Sequence, residues 1–475
     1  MTATIDRHTA PQAAARADWS GRPVAVVGAG RTGASTARFL TAAGARVSVT
    51  DSRMAPPALE EMPRADALAG LALGGLDREM LEAAELVVVS PGVPLSEPAI
   101  RDAAAAGAEV VGDVELLGRY VAAPVVAVTG SNGKSTVTTL IGEMLAAAGR
   151  RVAVGGNLGT PVLDLLADAE AEAFVVEVSS FQAEALREFR PQVAAVLNLS
   201  ADHLDRYADE AAYFDAKWRL LANMGEGDTA VLGADDVEIR RRAEGLQPGP
   251  AVAWFGLGPP ARGGAGVMQD DVEAWLALGT DRGPEPVLAV AEWPLVGLPN
   301  RANAVAALAA GAALGLPSSA MADALRQFRG LAHRMEAVAE LGGVRYVNDS
   351  KGTNVGAVQA ALEGLDAPFV WIAGGVDKGG DFTALAPALR RSGRQVVLLG
   401  EAAGAIAAAV AEVVPVVFAR TMHEAVARAA EAAQAGDAVV LSPGCTSFDQ
   451  YPGFGARGAD FRRAVAALED ARAEP

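Results

Sequence analysis

The feature that most constrains this chain is a glycine-containing loop between an apolar run and a helix-forming stretch. Residues 125–128 are Val, Val, Ala and Val, and residues 129–136 read Thr-Gly-Ser-Asn-Gly-Lys-Ser-Thr. A strand, a glycine loop and a helix in this order let backbone amides and the helix dipole surround phosphate oxygens. Lys134 adds a positive charge, and Ser135 or Thr136 can ligate magnesium. The sequence therefore predicts a phosphate-binding loop in an α/β domain.

One position of this loop departs from the general pattern of phosphate loops. That pattern has a glycine five residues before Gly133, where this chain has Val128. The alternative interpretation is an ordinary glycine-rich turn with a lysine on the surface. The strand before the loop and the helix after it favour phosphate binding.

A second glycine motif lies nearer the N-terminus. Residues 24–27 form a β-branched run, and residues 28–33 read Gly-Ala-Gly-Arg-Thr-Gly before an Ala-rich helical stretch. Asp51 follows 18 residues after Gly33, at the end of the next predicted strand, where a ribose-binding acid would lie. Alone, the motif leaves three alternatives open: a nicotinamide dehydrogenase, a site for a nucleotide sugar, or a tight turn.

Strands and helices alternate along the chain in three series, which predicts an α/β protein of three domains. A length of 475 residues agrees with that number at about 150 residues per domain. We expect a flexible tail at residues 1–20 and a Rossmann-like domain at 21–112. A central P-loop-type mononucleotide-binding domain follows at 113–330, and a C-terminal Rossmann-like domain at 331–475. Strand signals are weak in the Gly- and Pro-rich segment 245–283.

Composition excludes several classes of function. The formal net charge of −18 disfavours binding to nucleic acid or to anionic membranes. A single cysteine, Cys445, rules out an internal disulfide and fits a reducing cytoplasm. The first twenty residues lack the apolar core of a secretion signal. The uncharged stretch 302–322 contains Pro317 and two serines, so it predicts a buried helix and a turn rather than membrane insertion.

The two glycine loops, in this order, resemble those of the Mur ligase family, whose own ATP signature tolerates a residue such as Val128. Further matches cover nearly all of the chain after Gly21. They comprise residues 155–159, 177–182, 202–207, 333–336, 348–354, 374–378 and 442–450, together with Asn198, Asn300 and Asn303. The chain lacks the Asp-Asn-Pro-Arg signature of the sibling that adds a diamino acid.

This resemblance implies an ATP-dependent amide ligase that adds D-glutamate to UDP-N-acetylmuramoyl-L-alanine through an acyl phosphate, in peptidoglycan precursor synthesis. It also implies two Mg²⁺ ions and a cytoplasmic enzyme, which we expect to be a monomer. A same-fold alternative is a sibling such as folylpolyglutamate synthase, which the nucleotide-sugar domain disfavours. Two other classes stay open, a nicotinamide oxidoreductase fused to a nucleotide-binding module and a non-catalytic ATP-dependent switch.

The resemblance also assigns the catalytic residues, which are Lys134, Glu177, His203 and Lys217. Glu177 and Ser135 would hold the ATP-side magnesium ion, His203 and Lys217 would serve the second, and the matching lysine in the family is carbamylated. Without the family, Glu177 at a strand end would be solvated, His203 would be a loop histidine, and Lys217 would be a surface lysine of a helix.

The remaining sites carry over in the same way. The resemblance implies ATP-binding residues Gly130, Asn132, Gly133, Lys134, Ser135, Thr136, Asn300, Asn303, Arg334, Asp349 and Lys351. It implies UDP-sugar-binding residues Gly30, Arg31, Thr32, Asp51, Ser52, Ser90, Gly92 and Asn157. For the incoming amino acid it implies Thr353, Lys378, Ser447 and the backbone of Phe454.

Overall fold

A computed structural model of the chain describes residues 18–202, 206–246, 248–295 and 297–473. His203 and most of the predicted tail 1–20 lie outside the described residues. Three separate sheets span residues 23–111, 125–289 and 336–441. The predicted fold class, three α/β domains with mostly parallel strands, is confirmed. The boundaries at residues 112 and 330 stay a prediction.

The first sheet has five parallel strands in the order β3-β2-β1-β4-β5. Its elements are β1 (Pro23–Val27), α1 (Arg31–Ala42), β2 (Arg46–Asp51), β3 (Gly70–Leu73), α2 (Arg78–Glu82), β4 (Leu86–Val89), α3 (Pro98–Ala105) and β5 (Glu109–Val111). Alternate residues of β1 enter two different apolar cores, Val24 and Val26 on one face and Ala25 and Val27 on the other. Burial on both faces explains why this strand is a continuous apolar run.

The central sheet has nine strands in the order β14-β13-β12-β11-β10-β9-β6-β8-β7. Its elements are α4 (Asp113–Tyr120), β6 (Val125–Thr129), α5 (Lys134–Ala147), β7 (Val152–Gly156), β8 (Ala173–Glu177), α6 (Ser180–Glu184), β9 (Val193–Val196), α7 (Glu210–Trp218), β10 (Thr229–Gly233), α8 (Val237–Ala243), β11 (Ala251–Phe255), β12 (Ala265–Gln269), β13 (Ala274–Thr280), β14 (Gly283–Ala289), α9 (Leu298–Ala313) and α10 (Ser318–Gln327). β6 lies between β8 and β9, so the predicted phosphate loop follows an interior strand of the sheet.

The segment 245–283, whose strand signals are weak in the sequence, contains the strands β11, β12 and β13. The last two strands of the sheet pair antiparallel with their neighbours at its edge. Glycines interrupt the alternation of apolar and polar side chains in this segment, and they stand where a neighbouring stretch of backbone approaches closely. A Cβ on Gly279 would lie 1.9 Å from the carbonyl oxygen of Ala261. The uncharged stretch 302–322 forms parts of α9 and α10 with a turn between them, as predicted.

The third sheet has six strands in the order β15-β16-β20-β17-β18-β19, antiparallel only between β15 and β16. Its elements are β15 (Glu336–Leu341), β16 (Val344–Asn348), α11 (Val355–Glu363), β17 (Phe369–Gly374), α12 (Ala386–Ser392), β18 (Gly393–Leu399), α13 (Ala403–Val410), β19 (Val416–Phe418), α14 (Met422–Ala432), β20 (Ala438–Leu441) and α15 (Phe454–Ala473). Across the described parts of the chain, every helix is too short or too polar to cross a bilayer.

Candidate active site between the domains

The phosphate loop joins the end of β6 to the start of α5. Gly130 and Gly133 have φ angles of +150° and +84°, which favour glycine. A Cβ on Gly130 would lie 2.9 Å from Cβ of Leu197, and one on Gly133 would lie 2.3 Å from Oδ1 of Asn303. Both glycines are therefore required by close packing, and the second brings Asn303 of α9 against the loop.

Lys134 folds back over the phosphate loop. Its Nζ donates hydrogen bonds to the carbonyl oxygens of Gly130, at 2.7 Å, and Ser131, at 3.0 Å. Burial lowers the pKa of Lys134, and the nearby Glu177 acts in the opposite direction. The lysine is held where a phosphate group on the loop amides would meet its charge.

Glu177 stands at the end of β8 and is 2% exposed, so the interpretation of a solvated strand-end residue is wrong. One carboxylate oxygen accepts a hydrogen bond of 2.5 Å from Oγ of Ser135. The other accepts one of 2.5 Å from Nδ2 of Asn157. Glu177 thus connects the phosphate loop to a residue that also lines the pocket of the first domain.

Lys217 is buried, at 1% exposure, although its sequence context in α7 suggests a surface lysine. Its Nζ donates a hydrogen bond of 2.9 Å to the carbonyl oxygen of Gly130 and lies 4.5 Å from the ring centroid of Tyr213. Burial, together with the charge of Lys134, holds the pKa of Lys217 well below its ordinary value. A neutral amine is therefore favoured beside the phosphate loop.

Arg334 reaches the phosphate loop from the third domain. Its Nη2 donates a hydrogen bond of 2.5 Å to Oγ of Ser135. The residues on either side, His333 and Met335, have φ angles of +64° and +43°, a region that non-glycine residues rarely occupy. The carboxylate of Asp349 holds this loop by accepting a hydrogen bond of 3.2 Å from the amide of Met335. Burial raises the pKa of Asp349 to about 6.

Lys351 also lies near the phosphate loop. Its Nζ stands 4.1 Å from the ring centroid of Phe454, and its amide donates to the carbonyl oxygen of His333 at 3.0 Å. Burial is the main cause that lowers the pKa of Lys351 to about 8, and the charges of Arg334 and Lys134 add to it. The basic side chains of Lys134, Arg334 and Lys351, from two domains, therefore lie close together beside the phosphate loop.

A cavity between α9 and the third domain receives most of the predicted ATP-binding residues. It is lined on its apolar side by Pro299, Ala357, Ala360 and Ala361. The predicted residues that line it are Asn132, Gly133, Thr136, Asn300, Asn303, Arg334, Asp349 and Lys351. Lys134 and Ser135 line the adjoining cleft, and Gly130 contributes the carbonyl oxygen that accepts from both Lys134 and Lys217.

The adjoining cleft, of about 650 Å³, lies between the central and third domains. It brings together Lys134, Glu177 and Lys217 with the four residues predicted for the amino acid, Thr353, Lys378, Ser447 and Phe454. Asp202 of the central domain links the two walls of the cleft. Its carboxylate accepts hydrogen bonds from two residues of the third domain, from Nζ of Lys378 at 3.2 Å and from Nδ2 of Asn354 at 3.1 Å. Asp202 and Asn354 have no role assigned from the sequence, and only their positions across the cleft reveal them.

The first domain has its own pocket, of about 810 Å³, at the ends of β1, β2 and β4. All eight residues predicted for the UDP-sugar line it, namely Gly30, Arg31, Thr32, Asp51, Ser52, Ser90, Gly92 and Asn157. The turn needs its glycines: Gly28 has φ +93°, and a Cβ on Gly33 would lie 1.8 Å from the carbonyl oxygen of Gly28. Arg53, Arg78 and Gln182 also line the pocket and were not predicted.

Asp51 is 3% exposed, and its two oxygens are both engaged within the first domain. They accept hydrogen bonds from the amide of Ala29 at 2.6 Å and from the Arg53 guanidinium at 2.7 and 2.9 Å. The hydrogen bonds from Arg53 are the largest cause that lowers the pKa of Asp51 to about 2. Asp51 therefore fixes the glycine turn as well as facing the pocket.

The oxygens of Ser135 and Glu177 suit a magnesium ion, which prefers hard oxygen ligands. The amine of Lys217 does not, although its buried position and depressed pKa suit conversion to a carbamate. Among the described residues, no three His, Cys, Asp or Glu side chains cluster as a metal site. Besides Glu177, the predicted magnesium ligands are therefore the hydroxyl of Ser135, a carbamylated Lys217 and His203. His203 lies outside the described residues.

A phosphate loop, a buried carboxylate beside its serine and a cleft completed by basic residues of another domain define a multidomain nucleotide-dependent enzyme. Comparison with family models identifies all three domains. Residues 22–112 match the "Mur ligase MurD-like, N-terminal domain", residues 128–311 the "Mur ligase middle domain", and residues 333–445 the "Mur ligase, glutamate ligase domain". The chain belongs to the Mur ligase family.

Similar proteins support the same assignment. The chain is 47% identical over 442 residues to the UDP-N-acetylmuramoylalanine–D-glutamate ligase of Nitrosococcus oceani, covering 93% of this chain and 95% of that one. It is 46% identical over 453 residues to the protein of the same name in Pseudomonas aeruginosa, with 93% and 97% covered.

Solved structures share the fold at low identity. A pseudomurein peptide ligase type C from Methanothermus fervidus has a TM-score of 0.59 and 18% identity, over 94% of this chain and all of that chain. MurF ligase from Thermotoga maritima in complex with ADP has a TM-score of 0.60 and 17% identity, over 82% and 90% of the two chains.

Proposed function

We propose that this protein is an ATP-dependent amide ligase that joins D-glutamate to UDP-N-acetylmuramoyl-L-alanine, as a cytoplasmic monomer, in peptidoglycan precursor synthesis. One observation carries the proposal. The nucleotide-sugar pocket and the catalytic cleft meet at Asn157, whose side chain donates to Glu177 beside the phosphate loop. A carboxylate at the end of a long nucleotide sugar can therefore reach the point where ATP presents its terminal phosphate. The name of the similar proteins supplies the substrates.

In the first step, the L-alanine carboxylate attacks the γ-phosphorus of ATP, and ADP leaves. An acyl phosphate forms. Lys134, which folds over the phosphate loop, and Arg334, which donates to Ser135 of that loop, stabilise the charge that develops on the transferred group. Asn300, Asn303, Asp349 and Lys351 line one cavity, and we assign the two asparagines to the adenine and the other two residues to the ribose and phosphates.

In the second step, the amine of D-glutamate attacks the acyl carbonyl carbon, loses a proton and expels phosphate. Lys378 and Thr353 bind the side-chain carboxylate, and Ser447 with the backbone of Phe454 binds the α-carboxylate. Lys378 is paired with Asp202 at 3.2 Å, so the incoming carboxylate competes with a protein carboxylate for the same cation. That competition disfavours amino acids without a second acidic group.

Two magnesium ions would lower the repulsion between the phosphates and the reacting carboxylate. Ser135 and Glu177 would hold the first ion, and His203 with carbamylated Lys217 would hold the second. Carbamylation turns an amine into an oxygen ligand, and it requires a neutral lysine. The direction of the pKa shift of Lys217 supports this modification.

Supplying ATP, magnesium and UDP-N-acetylmuramoyl-L-alanine with single amino acids tests the proposal. We expect phosphate release only with D-glutamate, and a product mass that corresponds to one added glutamate residue. Release with a different amino acid would favour a sibling ligase, and absence of release would overturn the proposal. A change in nicotinamide fluorescence on binding would favour the oxidoreductase, and ATP binding without an amide product would favour the switch.

A further inference from the structure

Several polar contacts dock the first domain on the central domain, including those of Arg119 with Glu109 and of Arg187 with the carbonyl oxygen of Val110. In another, Oγ of Ser35 and Nη2 of Arg38 donate to the carboxylate of Asp164 at 2.7 and 3.1 Å. Arg206 of the central domain makes a further contact, with the segment 91–93 that follows β4. The contacts of Arg38 and Arg206 differ in what else they touch.

Arg206 binds three kinds of partner at once. Its Nη1 donates to the carbonyl oxygen of Pro91 at 3.0 Å, and its Nη2 donates to that of Val93 at 3.3 Å. Nη2 also pairs with the carboxylate of Glu184 at 3.2 Å. The guanidinium carbon lies 4.2 Å from the ring centroid of Phe181. The side chain is only 14% exposed, so these contacts are little weakened by water.

The partners of Arg206 belong to the walls of two different cavities. Pro91 and Val93 line the nucleotide-sugar pocket, next to Ser90, which donates to the carbonyl oxygen of the turn residue Gly28 at 3.1 Å. Phe181 lines the catalytic cleft, in the segment directly after the catalytic strand β8. Arg206 is therefore a single side chain that connects the sugar-nucleotide wall to the catalytic wall.

We propose that Arg206 is a positioning residue that sets the distance and angle between the nucleotide-sugar pocket and the phosphate loop. It does not line the nucleotide-sugar pocket, and it acts through the backbone of Pro91 and Val93. An arginine is required because its planar fork reaches two carbonyl oxygens while its face stacks on an aromatic ring. A lysine provides one point charge and cannot make both contacts.

The proposal rests on the proposed function, because it concerns how UDP-N-acetylmuramoyl-L-alanine is presented to ATP. A small misplacement of a reacting carboxylate is costly, since reaction requires near-attack distances. Loss of Arg206 should therefore weaken binding of the nucleotide sugar and slow its activation. Binding of ATP and of D-glutamate should change little, because their residues lie on other elements.

Arg206→Lys and Arg206→Met test this, with Arg38→Met as the matched control. Arg38→Met also removes an arginine contact between the same two domains, but it touches no wall of the catalytic cleft. We expect the KM for the nucleotide sugar to rise at least about tenfold and kcat to fall severalfold in both Arg206 variants. The KM values for ATP and D-glutamate should stay within about twofold, and Arg38→Met should leave all of these constants unchanged.

Calorimetric titration with UDP-N-acetylmuramoyl-L-alanine, without ATP, distinguishes a failure of the proposed function from a failure of the role of Arg206. If the wild-type protein does not bind this compound, the proposed function fails. If the wild type binds it and both Arg206 variants bind it equally well with an unchanged KM, Arg206 has no positioning role. A lower melting temperature alone, shared with Arg38→Met, would likewise overturn the inference and assign Arg206 a purely structural contact.

Discussion

The pocket of the first domain and the catalytic cleft differ in how their polar groups are held. In the pocket, Asp51 is fixed by Arg53, two residues away, and by Ala29 of the glycine turn in the same domain. In the cleft, groups from two domains hold each other, as Arg334 and Ser135 do across 199 positions of the chain. The glycine turn of the pocket is therefore held by contacts within the first domain, whereas the cleft depends on where the third domain lies. Substitutions in the cleft should have the larger effects on activity.

Lys217→Ala should have the largest effect, lowering kcat by at least about a thousandfold, because it removes the proposed carbamate ligand of the second magnesium ion beside the phosphate loop. Binding of UDP-N-acetylmuramoyl-L-alanine, measured by calorimetry, should change less than about twofold because Lys217 does not line that pocket. Lys217→Arg is the matched variant, since it keeps a long basic side chain but cannot form the lysine carbamate. Substantial activity in Lys217→Arg would remove the carbamate from the mechanism.

Lys378→Met should be next, and it tests how specific the cleft is for its amino acid. Lys378 keeps 22% of its side chain exposed, and losing its charge-assisted hydrogen bond to a carboxylate costs about 2 kcal/mol, which corresponds to roughly a thirtyfold rise in the KM for D-glutamate. The KM for ATP should stay nearly constant, because Lys378 does not line the adenine cavity. Steady-state kinetics with each substrate varied in turn would measure both constants. Equal increases in the two KM values would contradict the assigned site.

The same contrast explains what could be predicted from the sequence. The glycine turn and the phosphate loop are continuous segments, and the strands before them are apolar runs buried on both faces, so a local pattern is sufficient. Lys217 sits between Ala216 and Trp218 in a helix, and its contact with Gly130, 87 positions earlier, lies in the interior of the protein. Local sequence therefore makes it look like a surface lysine, and the family resemblance was needed to single it out.

The pairing of Lys378 with Asp202 is harder still, since the two residues are 176 positions apart and lie in different domains. Neither residue has a local pattern that names its partner. The strands β12 and β13 have weak sequence signals for another reason, because their glycines allow close backbone contacts at the cost of an apolar alternation. Two physical causes therefore limit the prediction from sequence. Contacts between residues far apart in the chain leave no local pattern, and close backbone packing at glycines weakens the pattern of a strand.

Affinity for ATP should depend on pH through Lys351, whose pKa is lowered to about 8. Phosphate binds the charged lysine, so nucleotide affinity should fall by up to about tenfold per pH unit between pH 8 and 10. Stability of the ligand-free protein should change in the opposite direction. The unfolded chain, with an ordinary pKa of 10.5, binds the proton that the folded chain has lost, so this contribution to stability rises with pH over that interval.

Calorimetric titration with an ATP analogue at pH 7, 8 and 9 would measure that dependence. Lys351→Gln is the control, because it removes the titrating group and should flatten the part of the profile that Lys351 causes. The charges of Arg334 and Lys134 stand nearby, and Lys134 also has a lowered pKa, so some dependence should remain in the variant. An unchanged profile in Lys351→Gln would show that the residue does not meet phosphate.

Ser90→Ala should have the smallest effect, and it tests the pocket of the first domain rather than the cleft. Its hydroxyl donates one hydrogen bond of 3.1 Å to the carbonyl oxygen of Gly28, in a turn that the contacts of Asp51 also fix. Losing one partly buried hydrogen bond costs about 1 kcal/mol, so affinity for the nucleotide sugar should fall by about fivefold at most. Calorimetry would measure this directly. A loss as large as that expected for Arg206→Met would mean that the pocket is less locally determined than its geometry indicates.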